Sequence, residues 1–243
     1  PASGVVKLMP ALTIHADMTF EEFDRTHAAG ADIVIVPALH DRRAPHVVGW
    51  LRSQAHRGAI VVGICEGAWT LAEAGLLHGK QATTHWFSMR SIARYFPTTT
   101  WRRDRRFVID GKVMTTAGVS ASIPASLAIV DSIAGNGTAL ATAQRLGIEA
   151  WDPRHNSRTF ALGLDHVMTV AGNRLFAWRH ETIAFPVDDN CDEIALALAA
   201  DAWSRTYRSR ARAVNDDGRV TCRHGLQLVT ERLPPASQAL VGA

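Results

Sequence analysis

The sequence predicts an α/β fold: a mostly parallel sheet with helices on both faces. Three observations carry this. Two short runs, 32–37 (DIVIVP) and 59–64 (AIVVGI), are almost continuously apolar and rich in β-branched residues, the pattern of strands buried on both faces. Stretches with helical spacing follow each run, so strands and helices alternate. The second run leads into Gly63-Ile64-Cys65-Glu66-Gly67, a sharp strand-to-helix junction.

The elements follow in order. Pro45 opens a helical stretch, because its missing N–H falls where no intrahelical bond is made; Val47, Val48 and Leu51 supply its apolar positions and Gly58 closes it. Gly67 to Leu77 reads as a helix in which Ala68, Leu71, Ala72 and Gly75 allow close packing. Gln81 to Trp86 reads as a short strand and Ser88 to Phe96 as an amphipathic helix. Thr99–Trp101, Arg106–Asp110 and Lys112–Thr116 read as strands, the last two joined by an Asp110-Gly111 turn. Pro124 to Ala134 and Thr138 to Leu146 read as helices, with Pro124 suited to a first helical position.

Residues 151–181 connect this core, 1–150, to a tail, 182–243. The tail restarts a β-α-β pattern: strand Thr182–Val187, helix Asp192–Trp203, strand Ser209–Val214, then the turn Asn215-Asp216-Asp217-Gly218. A faint internal repeat links the two ends. Gly4, Val6, Leu12 and Ile14 match Gly218, Val220, Leu226 and Leu228 at one constant offset.

Composition bounds the function. The 243 residues are 47% apolar and 20% charged, enough apolar material for a packed core and against global disorder. No stretch approaches the roughly 20 apolar residues of a membrane span, and no charged-then-apolar leader opens the chain. Pro1 in place of methionine implies a processed product or a fragment. The net charge of +3 does not suggest a polyanion partner, so no nucleic-acid binding by this chain is expected. Arg102, Arg103, Arg105 and Arg106, and Arg205, Arg208, Arg210 and Arg212, read as solvated clusters, with a phosphate or acidic-partner patch as the alternative. Cys65, Cys191 and Cys222 show no CxxC spacing, which argues against a disulfide framework or a zinc site. The histidines show no ligand spacing either, so no metal is expected. Sparse cysteine and the missing leader together suggest a cytoplasmic location.

The junction at 63–67 is where the sequence offers chemistry. It is a G-x-nucleophile-x-G elbow with Cys65 in the nucleophile place, at the carboxyl end of a strand, where open α/β sheets put their sites. A buried cysteine that fills a tight junction is the alternative. A thiolate nucleophile needs a base. His85 is the first candidate, since it closes the next strand and reaches the same edge; His40 is weaker. Glu66, beside the cysteine, joins Cys65 and His85 in the candidate catalytic set, with a solvated side chain as its alternative. Backbone amides of Glu66 and of the Ala38-Leu39 turn are candidates for an oxyanion hole.

At these residues the chain resembles the ThiJ/PfpI superfamily, the class I glutamine-amidotransferase-like fold. The resemblance spans about residues 5–147. It rests on Asp32–Pro37, Gly63–Ala68, Leu71–Lys80, Ala82-Thr83-Thr84-His85-Trp86 and Val113–Ala121. The Thr-Thr-His-Trp form is similar to the branch found as N-terminal domains of AraC-type regulators and in isonitrile hydratases. The resemblance implies a flavodoxin-like three-layer α/β/α sandwich with a nucleophile elbow, a reactive Cys65, a homodimer, and a pocket that includes Gly63, Thr116, Ala117 and Gly118. Three departures stand out. Glu66 replaces the histidine of the protease branch, Ala38 and Leu39 replace two glycines, and Pro124 stands where this branch often has Asp. No helix-turn-helix pair follows the core.

The family fold begins with a strand, a helix and a second strand ahead of the point where this chain starts, and that unit supplies an acidic partner to the cysteine. The tail from Thr182 to Leu228 is similar to that unit followed by its hairpin, which makes Asp188, Asp189, Asp192 and Glu193 candidate acids, acting in the same chain or by exchange with a neighbour. Three functions compete. One is a cofactor-independent hydrolase, hydratase or amidase-like enzyme on a small molecule, with Cys65 at an electrophilic carbon and His85 moving the proton. The second is a ligand- or redox-sensing domain. The third is a structural homologue that dimerises. Fold membership does not decide among them.

Overall fold

The computed structural model describes residues 4–9, 11–160, 163–175 and 180–232. In chain order its strands are β1 (Val5–Lys7), β2 (Thr13–His15), β3 (Ile33–Val36), β4 (Ile60–Gly63), β5 (Gln81–Ala82), β6 (Thr100–Trp101), β7 (Phe107–Asp110), β8 (Val113–Thr116), β9 (Glu181–Pro186), β10 (Ser209–Val214), β11 (Arg219–Thr221) and β12 (Gln227–Val229). Its helices are α1 (Phe20–Thr26), α2 (Pro45–His56), α3 (Gly67–Glu73), α4 (Met89–Tyr95), α5 (Val119–Arg145), α6 (Leu164–Leu175) and α7 (Glu193–Ser204). The chain folds as two compact units, Thr26–Ala161 and a second made of Pro1–Arg25 with Leu162–Ala243.

The first unit is the three-layer sandwich. Its sheet runs β3-β4-β8-β7, with β3, β4 and β8 parallel and β7 antiparallel to β8 across the predicted Asp110-Gly111 turn. Alternation decides which residue meets which layer. Val34, Val36, Val61 and Val113 face Val48 and Leu51 of α2 and Ala68, Leu71 and Ala72 of α3. Val62, Phe107 and Met114 face Ala125, Ala128 and Ile129 of α5. Because both faces are covered, the strands need apolar residues at successive positions, which is why they are legible as unbroken runs.

Several boundaries differ from the sequence reading. Pro45 stands at the start of α2, as its chemistry requires. Pro124 does not open its helix: α5 begins at Val119, and Pro124 lies inside it. Lacking an N–H, it forgoes one intrahelical bond. The two helices read in this region meet at Gly135, whose backbone (φ 81°, ψ 162°) breaks the helical path. The strand read to Trp86 stops at Ala82. Helix α6 was not read at all; none of its residues is buried. Among the described residues, no helix is long and apolar enough to cross a membrane.

The second unit realises the faint repeat. β1 and β2 pair antiparallel with Val6 opposite Ile14, and β11 and β12 pair with Val220 opposite Leu228. The two hairpins then join through Ile14 opposite Leu228, the repeat-equivalent residues. Thus one four-stranded sheet, β1-β2-β12-β11, contains two copies of the same hairpin. This non-local pairing puts residues 1–25 with the tail. Beside it, β9 and β10 are parallel and connected by α7, the β-α-β pattern read from the tail. Leu196 of α7, Val187, Ala213, Val220, Cys222 and Leu228 form the core of this unit. Asp192 caps α7, accepting from the Ile194 and Ala195 amides at 3.0 Å each. Members of both arginine clusters pair with carboxylates: Arg102 with Asp104, Arg205 with Asp201, Arg208 with Glu181 and Arg212 with Glu231.

Candidate functional site

Strand β4 delivers the elbow. After Gly63 the Ile64 amide donates back to Val36 O at 2.9 Å, so the loop still hangs from β3. The next residue, Cys65, turns the chain with φ 57°, left-handed backbone that a non-glycine residue adopts at a cost of about 1 kcal/mol or more. The Gly67 amide closes the turn on Ile64 O at 2.7 Å, and α3 begins. Of the flanking glycines, Gly67 is sterically required and Gly63 is tightly enclosed. A Cβ on Gly63 would lie 3.1 Å from the Ala68 nitrogen, and one on Gly67 would lie 2.2 Å from Val36 O.

Two pairs of buried threonines hold this turn. The Cys65 N–H donates to Thr116 Oγ1 at 3.0 Å, and Thr84 Oγ1 donates to Cys65 O at 3.0 Å. The neighbouring residues of each pair bond to one another, Thr83 N to Thr115 Oγ1 at 2.8 Å. All four threonines are buried. The strained residue is therefore gripped at its amide and its carbonyl by side chains from β8 and from the segment after β5. The Thr-Thr pairs were visible in the sequence, but their cross-strand bonding was not.

His85 follows Thr84 and is half-buried. It lies beyond the end of β5, not on a strand, and its carbonyl accepts from the Ser88 and Met89 amides at the entry to α4. Its ring stands over Gly118, where a Cβ would come within 3.2 Å of His85 Cδ2. Gly118 thus makes room for the imidazole. The ring also lies 5.3 Å from that of Trp86, which stacks on Phe160 at 6.4 Å, and Phe160 stacks on His155 at 5.6 Å. Burial, then the nearby Arg106 charge, pushes the His155 imidazole below its ordinary range.

Glu66 is not a free solvated carboxylate, because Ser88 Oγ donates to its Oε1. Ser88 is the residue the sequence reading missed. It stands at the N-cap of α4 yet caps nothing with its side chain, which turns to Glu66 instead. The Glu66 amide has no acceptor among the described residues, whereas those of Ile64, Cys65 and Gly67 are committed. Of the other candidates, Ala117 is buried and donates its amide to Arg106 O, Ala38 is exposed, and Leu39 packs against the core. The structure thus joins Cys65 to Thr84 and Thr116, joins Glu66 to Ser88, and sets the His85 ring against Gly118.

The four candidate acids belong to the second unit and are engaged there. Asp189 accepts from the Thr221 amide, Asp192 caps α7, Glu193 pairs with His224, and Asp188 lies 3.4 Å from Asn215 Nδ2. Among the described residues, no group of three or more His, Cys, Asp or Glu side chains is placed to hold a metal ion.

Fold and elbow together define a flavodoxin-like α/β protein with a cysteine at a strained strand-to-helix turn. The chain belongs to the DJ-1/PfpI family, whose model matches residues 1–132. It is similar to the HTH-type transcriptional regulator CdhR of Pseudomonas aeruginosa, 29% identical over 155 residues that make up 63% of this chain and 45% of that protein. It is also similar to isonitrile hydratase of Pseudomonas putida, 33% identical over 105 residues, 42% of each. The chain therefore spans less than half of either relative. Among solved structures, a ThiJ/PfpI family protein from Pseudomonas syringae superposes with a TM-score of 0.56 at 23% identity over 71% of each chain. DJ-1beta of Drosophila melanogaster gives 0.53 at 22% identity, over 60% of this chain and 77% of its own.

Proposed function

We propose that the Thr26–Ala161 unit carries a cysteine-dependent hydrolase or hydratase site for a small electrophilic carbon, such as an amide, an isonitrile-like carbon or an aldehyde. One observation carries the reading. Cys65 is held at φ 57° with amide and carbonyl both fixed by buried threonines, an arrangement that maintains backbone strain at a nucleophile position. In this reading the Cys65 thiolate adds to the carbon and His85 supplies or removes the proton. On an isonitrile, addition of the thiol across the terminal carbon gives a thioimidate, and water then releases the formamide and restores the thiol. The Glu66 N–H is the donor for charge that develops on the substrate, the residue after the nucleophile being the usual source. Glu66 itself positions the turn through Ser88 and does not act on substrate. This chemistry needs no cofactor.

A second reading has its own support. Transcriptional regulators stand among the relatives, and the same site would then hold a small ligand without turning it over. The test is turnover of a panel of amides, isonitriles and aldehydes by the wild type, Cys65→Ala and His85→Ala, with calorimetric binding of the same panel. Turnover lost in Cys65→Ala supports the enzyme. Binding without turnover, unchanged in Cys65→Ala, supports the sensor and sinks the enzyme.

A further inference from the structure

The second unit contains a pair of thiols that the elbow chemistry does not use. Cys191 and Cys222 are 31 residues apart in sequence, yet their sulfurs lie 3.2 Å apart. Both are free thiols. The absence of CxxC spacing said nothing about this, because folding brings the two together.

The backbone on both sides is fixed. Cys191 sits in the turn before α7, and Cys222 follows β11 at the hairpin turn. The Asn190 amide donates to Thr221 O at 2.8 Å, the Thr221 amide to Asp189 Oδ1 at 2.8 Å, and the Arg223 amide to Cys191 O at 2.9 Å. Around these, Arg223 pairs with Asp192 and His224 with Glu193. A disulfide bond is about 2.05 Å long. The sulfurs need approach by only about 1 Å to reach that length.

We propose that Cys191 and Cys222 form a reversible disulfide that fastens the C-terminal hairpin, β11 and β12, to the start of α7. The oxidant is a small-molecule disulfide such as oxidised glutathione. Cys191 is half-buried and Cys222 is 3% exposed, so Cys191 attacks first. Its thiolate takes one sulfur of the small disulfide and releases one small thiolate. Cys222 then gives its proton to solvent, attacks Cys191 Sγ and releases the second small thiol. Two protein thiols are oxidised and one small disulfide is reduced to two thiols. Burial pushes the Cys222 thiol up to about 12, in keeping with its role as the second partner.

The test is a redox titration of the full chain in buffers of stepped reduced and oxidised glutathione. Samples are quenched in acid, alkylated, digested and read by mass spectrometry, with a thermal melt at each step. The expected result is a Cys191–Cys222 linked peptide about 2 Da lighter than the two thiol peptides together, reversed by dithiothreitol, and a melting temperature about 5 °C or more above the reduced form. Cys65→Ala leaves the link intact, and Cys191→Ser, at the more open position, abolishes both the link and the temperature shift. Persistent alkylation of both cysteines at the oxidising end, or glutathione adducts in place of the link, overturns the proposal. A link that leaves the melt unchanged overturns the fastening role.

Discussion

Gly67→Ala is the sharpest perturbation of the elbow. A Cβ at this position would lie 2.2 Å from Val36 O, 3.0 Å from Pro37 O and 3.1 Å from Val36 C, all backbone atoms. Val36 cannot yield easily: it is buried, paired in β3 with Gly63 of β4, and its carbonyl already accepts from Ile64. Overpacking of this kind costs about 1–3 kcal/mol. The absence of a flexible neighbour places Gly67 at the upper end, and alanine's better helix propensity returns up to about 1 kcal/mol. A net loss of about 2 kcal/mol is expected, or about 4–8 °C in Tm for a chain of this size. The assay is urea denaturation followed by circular dichroism, with Gly49→Ala as control. Gly49 lies in α2 with nothing within 4 Å of its added Cβ, so that variant should match or exceed the wild type. A Gly67→Ala midpoint equal to that of Gly49→Ala would refute the claim that β3 and α3 touch through this glycine.

Three further predictions follow from particular residues. Thr116→Val keeps the shape but leaves the Cys65 amide without its acceptor; it should lower stability by about 1–3 kcal/mol in chemical denaturation and change the alkylation rate of Cys65 several-fold. Gly135→Ala meets no atoms but must enter a backbone region open essentially to glycine alone, so it should cost about 1–3 kcal/mol and shift a calorimetric melt downwards. Asp104 is held at about 2, first by its hydrogen bond from Arg102, while the Gln81 amide holds Asp110 and the Ala195 amide holds Asp192 below the usual carboxylate range. A folded-state value below the unfolded value of about 3.9 means stability is present above that pH and is lost as pH falls through the folded value. Melts by circular dichroism should therefore decline between about pH 4 and pH 2; a flat profile there would contradict these bonds.

The parts of the fold legible in the sequence are those fixed by local rules. Ile33–Val36 and Ile60–Gly63 are readable because burial on both faces demands unbroken apolar runs, Pro45 because it suits a helix start, and Gly67 because the tight turn admits no Cβ there. Non-local geometry was not legible. The faint repeat marks Ile14 and Leu228 as equivalent but not as paired, so residues 1–25 read as part of the core although they join the tail. Helix α6 buries none of its residues, so its pattern is weak. The grip of Thr84 and Thr116 on Cys65, the bond from Ser88 to Glu66 and the approach of Cys191 to Cys222 each join residues at least nineteen positions apart.

The central claim is that Cys65 is chemically live. The measurement is its alkylation rate against pH in the reduced protein, read by mass spectrometry peptide by peptide, with the buried Cys222 as internal control. The account predicts that Cys65 reacts far faster than Cys222 throughout the range. A Cys65 as slow as Cys222 across that range would contradict it and leave the elbow a packing device.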